Sequence, residues 1–412
     1  MFKKLTDTYH SYDRQFWVLF FGMLVSTVGT SMIWPFQVVY ASDTLHLPLT
    51  NIMLLLSISS FSGLVSAVIF SPLIDRLGRK KMMIVGLLAH AASLLFLSQA
   101  QTYTQFALLM ALNGIANPIY RIGADAMTAD LVPPEKRVNG YALLRLSHNL
   151  GISIGPTIGG LLATQSYTPI FWGGAVGLTL YSLLMGFMAR ETVHLSRLAR
   201  PEPAVGEKPA AAPDERFGGF LRMSKDSAFM RFLFSFTLVQ FSAIMIWQLM
   251  PIYAMQTYGI PKAQYGLLPT TNAAMVVLLQ VLVTAVTRNY NPLPVVALGS
   301  FFYAAAVGGV ALSQTFLGFW SVMVFMTIGE LIIMPTSSTY IANLAPADMR
   351  GRYMGLYGFS WSLAGMVAPV LGGYLSDNLN PRAPWLVGAG IGLLATLTFL
   401  YSAWLARRKT ST

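Results

Sequence analysis

Long apolar stretches recur along the chain at about 16–40, 50–74, 82–100, 105–128, 140–165, 169–189, 228–256, 264–287, 293–312, 316–342, 352–376 and 383–406. A helix needs roughly 20 apolar residues to cross the hydrocarbon of a bilayer, and each stretch is long enough. Lipid offers no partner for backbone N–H and C=O groups, so runs of this kind predict helices. The pattern therefore predicts an all-α membrane protein with twelve transmembrane helices. No small-residue cleavage site separates the first run from the second, so the first reads as a retained span and not as a signal peptide. Residues 191–227 break the pattern with Arg200-Pro201-Glu202-Pro203 and Lys208-Pro209-Ala210-Ala211-Ala212-Pro213. Such a mixture reads as a linker, with a short interfacial helix near Phe217–Met223. The predicted organisation is a six-helix bundle over 1–190, a cytoplasmic linker over 191–227 and a second six-helix bundle over 228–412.

The two halves repeat one another. A shift of 213 residues aligns 129–160 with 342–373 without a gap, and ten of those 32 positions are identical. Pro133/Pro346, Arg137/Arg350, Pro156/Pro369, Gly159/Gly372 and Gly160/Gly373 are among them. Generic similarity between apolar helices does not place Pro, Arg and two Gly in register. The bundles are therefore expected to be pseudo-symmetric, as in transporters whose site lies between two repeats near mid-membrane.

Composition agrees with this reading and closes off others. The chain of 412 residues is 55% hydrophobic and 10% charged and has no Cys, whereas soluble domains carry about 25% charged residues. An ordinary cytosolic enzyme, a disordered chain and a disulfide-stapled domain are all excluded. Of the 27 Lys and Arg, the odd-numbered connections hold only Lys262 and Arg382, and Arg121 and Arg145 lie inside spans. The other 23 gather at the tails, the even connections and their helix ends. Basic residues stay on the cytoplasmic side. The net charge of +11 is thus a topology signal rather than a nucleic-acid surface. A multi-pass protein of the plasma (inner) membrane of a bacterium is expected, with both termini cytoplasmic.

The connection after the second span reads Ser71-Pro72-Leu73-Ile74-Asp75-Arg76-Leu77-Gly78-Arg79-Lys80-Lys81. Gly78 permits a tight turn at a helix end, with Asp75 at the membrane boundary and four cations around it. The loop resembles the G-x-L-x-D-R-x-G-R-K signature of the major facilitator superfamily, with Ser71 in place of the first Gly. That resemblance implies a gating network of Asp75, Arg76, Gly78, Arg79, Asp130 and Arg137, with Asp75 facing the start of span 11 near Gly351–Tyr353. In span 5, Gly151, Gly155 and Gly159 recur every four residues on one helix face, which lets another helix approach closely. Pro156 removes a backbone donor and bends the helix. With Gly160, these positions resemble the G-x-x-x-G-P-x-x-G-G motif of the drug:proton antiporter branch. The branch's R-x-x-Q-G motif has no match: the nearest register is Met110-Ala111-Leu112-Asn113-Gly114, and Arg121 is a candidate replacement for the missing arginine.

Ionisable groups inside a bilayer are costly and default to function. Arg121 and Asp125 stand i,i+4 in span 4, and Arg145 and His148 lie two to three turns into span 5. Pairing of Arg121, Asp125 and Arg145 into a structural cluster is one reading; coupling or substrate contact is the other. Glu330 lies mid-span in helix 10 with no basic residue nearby in its own span. A carboxylate desolvated in this way takes up a proton near neutral pH or attracts a cation. His90 reads as a packing residue, and His10, His46 and His194 as solvated. Trp34, Phe36, Tyr40, Met245, Trp247, Tyr253 and Met334 offer adaptable apolar surface on helices that, by the resemblance, line the cavity.

No clustered ligands, H-E-x-x-H, Gly-rich phosphate loop or G-x-S-x-G occurs, so no enzyme, metal, cofactor or ATP-driven pump is expected. The resemblance implies a monomeric, proton-coupled antiporter that exports small lipophilic drug-like compounds, cations included, by alternating access. A lysolipid or small-metabolite exporter, a non-transporting membrane sensor and an intramembrane enzyme are the alternatives.

Overall fold

The computed structural model describes residue 9 and residues 11–193, 218–346 and 349–410. His10, His194 and most of the expected linker lie outside the described residues. Helices carry almost the whole described chain. The first span is α1 (Arg14–Ile33) continued by α2 (Gln37–Leu45) beyond Pro35. Then follow α3 (Leu49–Leu77), α4 (Arg79–Leu97), α5 (Tyr103–Leu131), α6 (Arg137–Ala163) and α7 (Thr168–Met188). The short α8 (Gly218–Lys225) falls where an interfacial helix was expected. The second series is α9 (Ser227–Ile252) with a wide turn over Tyr253–Thr257, α10 (Lys262–Thr287), α11 (Pro292–Leu312), α12 (Phe316–Leu344), α13 (Arg350–Asn378) and α14 (Ala383–Thr410).

Among the described residues, ten helices are long and apolar enough to cross a membrane by length and composition. The two long helices outside that set are α5 and α6, at 29 and 27 residues. They carry Asn117, Arg121 and Asp125, and Arg145, His148 and Asn149. Length thus marks twelve helix columns, and composition marks two of them as different.

Several starts are set by short-range chemistry. Asp13 caps α1, Thr102 and Gln105 form a reciprocal capping box on α5, and Asp226, Asn291 and Thr315 cap α9, α11 and α12. Each satisfies N–H groups that the first helical turn leaves without partners. By contrast, α4 follows Gly78 with no side-chain cap of its own.

The described chain forms two compact units. One spans Met1–His46, Ile58–Pro201 and Pro261–Val277; the other spans Leu47–Ser57, Glu202–Ile260 and Leu278–Thr412. The expected bundles over 1–190 and 228–412 thus each take in a helix start from the other half of the sequence. In the first unit α1 packs on α6 and α7, and α4 packs on α5 and α7. In the second, α9 packs on α13 and α14, and α11 packs on α12 and α14. These are corresponding pairs, so the repeat seen as identical residues reappears as the same packing scheme. The core of each unit is aromatic and aliphatic, with Phe16, Phe106 and Phe171 fully buried in one and Phe229, Phe236 and Phe319 in the other.

Candidate functional site

The first unit holds a cavity of about 420 Å³ among α1, α5, α6 and α7. Helical periodicity explains who lines it. On α5, Asn117, Arg121 and Asp125 stand four residues apart on one face. On α6, Tyr141, Arg145 and His148 do the same at spacings of four and three. Ser26, Thr27 and Thr30 line it from α1 and Tyr181 from α7, while Met23, Ala124 and Leu144 supply apolar wall. The helices too polar to count as spans by composition are therefore the ones whose polar face borders this space.

Depth follows from the rise of about 1.5 Å per residue. Arg121 lies about 15 Å along α5 from its end at Leu131, and Asp125 about 9 Å. Arg145 lies about 12 Å along α6 from its start at Arg137. The antiparallel helices bring the three charges to similar depth, as their spacing predicts. They do not close into the structural cluster that the sequence also allowed. Arg121, Asp125 and Arg145 take part in no ion pair among the described residues and stay open to the cavity. His148 is half-buried within electrostatic reach of both arginines. The Tyr141 hydroxyl donates to the Asp125 backbone carbonyl at 3.0 Å, holding α6 against α5.

The signature loop forms a second constellation in the same unit. Gly78 has φ of +106°, a conformation that favours glycine. A Cβ there would also lie 2.5 Å from Glu191 Oε2. The Arg79 guanidinium is buried, paired with Asp130, and donates to the Ala126 carbonyl at 2.9 Å. Its contact with Asp75 is looser, at 3.5 Å, and the Asp75 side chain is 66% exposed. Arg137 donates to the Val132 carbonyl at 3.1 Å and so holds the turn before α6 rather than joining Arg79. Arg76 is exposed.

Glu191 was not among the sequence candidates. Its carboxylate accepts from the backbone N–H groups of Arg79 at 2.9 Å and Lys80 at 3.1 Å, capping α4 from a distant part of the chain. The signal was present as an absence: a helix that starts Gly78-Arg79-Lys80 has no Ser, Thr, Asp or Asn to cap it. Asn117, Tyr120, Tyr141, Asn149 and Tyr181 were also missed, because uncharged polar residues in spans are too common to single out.

The glycine motif of α6 does what its spacing implies. A Cβ on Gly151 would meet Thr27 at 2.6 Å, on Gly155 Ser31 Oγ at 1.9 Å and on Gly159 the Met32 carbonyl at 2.2 Å. Ser31 Oγ donates to the Gly151 carbonyl at 3.1 Å, so α1 and α6 touch backbone to backbone. On another face Gly160 receives the backbone of Lys262, and Gly266 packs on the Pro156 carbonyl.

The expected aromatic lining distributes differently. Phe36 is fully buried beside Tyr265. Tyr40 packs among Phe106, Tyr167 and Phe171 and donates to the Leu97 carbonyl at 3.1 Å. Met245 is fully buried, and Tyr253 sits among Tyr258, Phe319 and Trp385. These four hold their own units together. Trp34 is 39% exposed, and Trp247 and Met334 are half-buried. Glu330 is half-buried on α12 within electrostatic reach of buried Tyr303. It does not border the cavity of the first unit. His90 is buried and stacks on Tyr120, as a packing residue should.

The sequence profile of the Major Facilitator Superfamily matches residues 19–369 and 232–412. The chain belongs to this superfamily; it is a membrane transporter and not an enzyme. Among curated proteins, it is 24% identical over 387 residues to the uncharacterized MFS-type transporter YhjO of Bacillus subtilis, covering 93% of this chain and 92% of that one. It is 23% identical to a Na(+), Li(+), K(+)/H(+) antiporter of Planococcus maritimus, covering 87% and 89%. It is 25% identical to the multidrug resistance protein MdtH of Yersinia enterocolitica, covering 81% and 80%. Among solved structures, a POT family transporter in complex with 5-aminolevulinic acid superposes with a TM-score of 0.78 at 14% identity, covering 94% and 96%. That likeness establishes the fold.

Proposed function

We propose that this transporter is a proton-coupled antiporter that exports lipophilic drug-like compounds across the plasma membrane by alternating access, with both termini cytoplasmic. The observation that carries this reading is the cavity of the first unit. It holds Asp125, a carboxylate deep in a span that forms no ion pair among the described residues, facing open space beside Arg121. An intramembrane acid next to a cavity is the usual element of a proton path. Glu330 is the second candidate for the same task. The drug-export direction is supported by the glycine motif of α6 and by the relatives named a multidrug resistance protein and a cation/proton antiporter.

The test is uptake into inverted vesicles driven by a pH gradient, with a panel of lipophilic cations, neutral drugs and lysolipids. Accumulation that collapses when the gradient is dissipated is expected. Asp125→Asn or Glu330→Gln should abolish the gradient-driven component while the protein still inserts. Accumulation indifferent to the gradient in the wild type would reject proton coupling, and coupled flux intact in both variants would remove Asp125 and Glu330 as the groups that carry it.

A further inference from the structure

We infer that the cavity between α1, α5, α6 and α7 is a carboxylate-binding subsite, and that the transported molecule is an amphipathic monocarboxylate whose anionic end sits between Arg121 and Arg145. The inference rests on the transport reading and narrows its substrate class from lipophilic compounds in general to organic anions.

Charge is the first argument. The cavity lining carries two guanidiniums and one carboxylate, a surplus of one positive charge. Neither guanidinium forms an ion pair among the described residues, although charges this deep in a span are normally paired. Elsewhere in the same unit the chain pairs such a group: buried Arg79 has both Asp130 and the Ala126 carbonyl. Arg121 and Arg145 are therefore left available in a way that Arg79 is not. One bound carboxylate would cancel the surplus, and a guanidinium presents the planar fork that matches a carboxylate in two parallel hydrogen bonds.

The neutral lining is the second argument. Asn117 and Asn149 border the same space and can donate through their amide groups. Tyr181 is 1% exposed, borders the cavity, and its hydroxyl has no hydrogen-bond partner among the described residues. A buried hydroxyl without a partner is costly, and an acceptor oxygen in the cavity would satisfy it. Met23, Ala124 and Leu144 offer apolar wall for the rest of the molecule, and about 420 Å³ suits a small drug-sized compound. Export of an anion also runs with an inside-negative membrane potential, which favours the direction already proposed.

The test is binding to the full-length protein in lipid nanodiscs, by calorimetry against empty nanodiscs, near neutral pH. Three arylalkyl carboxylates of increasing chain length, ibuprofen among them, are each compared with their primary amide. The amide keeps the shape and removes the charge. At least one acid should bind about tenfold more tightly than its amide, the size of a charge-assisted contact. Arg145→Gln and Arg121→Gln should each weaken acid binding more than amide binding and so shrink that ratio, and the amide binding that remains reports a folded protein. Equal or weaker binding of all three acids, no binding of either form, or an unchanged ratio in both variants overturns the inference. Acid-selective binding without gradient-driven flux would instead remove the transport reading and keep the subsite. Gradient-driven export of lipophilic cations with equal acid and amide binding would do the reverse.

Discussion

The two halves of the sequence encode the same helix, α6 in one unit and α13 in the other, and use it differently. Gly151, Gly155 and Gly159 of α6 correspond by the 213-residue shift to Ala364, Ala368 and Gly372 of α13. Three glycines let α6 lie backbone to backbone on α1. On α13, Gly372 meets the flexible Leu249 side chain, and the two alanines keep a methyl each. The next position, Gly160 or Gly373, does the same work in both. Gly160 receives the backbone of Lys262, and Gly373 that of Thr50. In each case a helix start from the other half of the sequence joins the unit. Charge divides the halves further. The first unit buries the Arg79–Asp130 pair and carries Arg121, Asp125 and Arg145 in its cavity. The position matching Asp130 in the second unit is the neutral Asn343. A duplicated bundle has thus kept its packing scheme, while the first copy holds the buried ion pair and the charged cavity and the second carries Glu330 in its α12.

This contrast can be broken at graded cost. The largest effect is expected from Asp130→Asn, which leaves the buried Arg79 guanidinium without its charge partner. Removing one member of a buried pair costs about 3–5 kcal/mol, so the purified variant should lose most of its resistance to thermal or SDS denaturation. Asn343→Asp, at the matching place, should cost far less. Gly155→Ala comes next, because its new methyl would fall on Ser31 Oγ and the Val28 carbonyl. Overpacking of this kind costs about 1–3 kcal/mol, measurable as a lower denaturation midpoint. Removing three hydrogen bonds at the start of α3 is milder. Asp377 accepts from Leu49 N at 3.0 Å, Thr50 N at 2.8 Å and Thr50 Oγ1 at 2.6 Å. Asp377→Ala should cost about 1 kcal/mol, as for loss of a helix cap. It should also speed deuterium exchange at Leu49 and Thr50. The smallest effect is expected from Ala368→Gly, which gives α13 the glycine that its counterpart α6 carries. It should cost about 0.5–1 kcal/mol from chain entropy. A gain in stability would mean that the two helices pack alike after all.

How far the molecule was legible in the sequence depends on the range of the interaction. Spans, the repeat and the glycine face of α6 were legible because each is a local pattern repeated at a fixed period. The depth match of Arg121 and Arg145 was legible too, since two antiparallel helices joined by a short turn leave little freedom. Tyr40 and Tyr253 were read as cavity lining because they are amphipathic aromatics on the expected helices, yet each is claimed by neighbouring rings inside its own unit. An aromatic side chain carries no local mark of whether it meets another ring or open space. Arg137 and Asp75 matched the signature by residue type, but the hydrogen bonds each one makes depend on the distance to groups elsewhere in the chain.

The sequence by itself determined that this chain crosses a membrane many times, that its two halves repeat one another, and that one helix offers a bare glycine face. Those properties follow from hydropathy, charge bias and spacing, all local along the chain. The tertiary structure alone decided that Glu191 caps α4, that Pro261–Val277 joins the first unit, and that Arg121, Asp125, Arg145 and Tyr181 surround one cavity. Each depends on groups brought together from far apart in the chain. Hydrogen bonds and electrostatic contacts act over a few ångströms, and only packing settles which distant residues come that close.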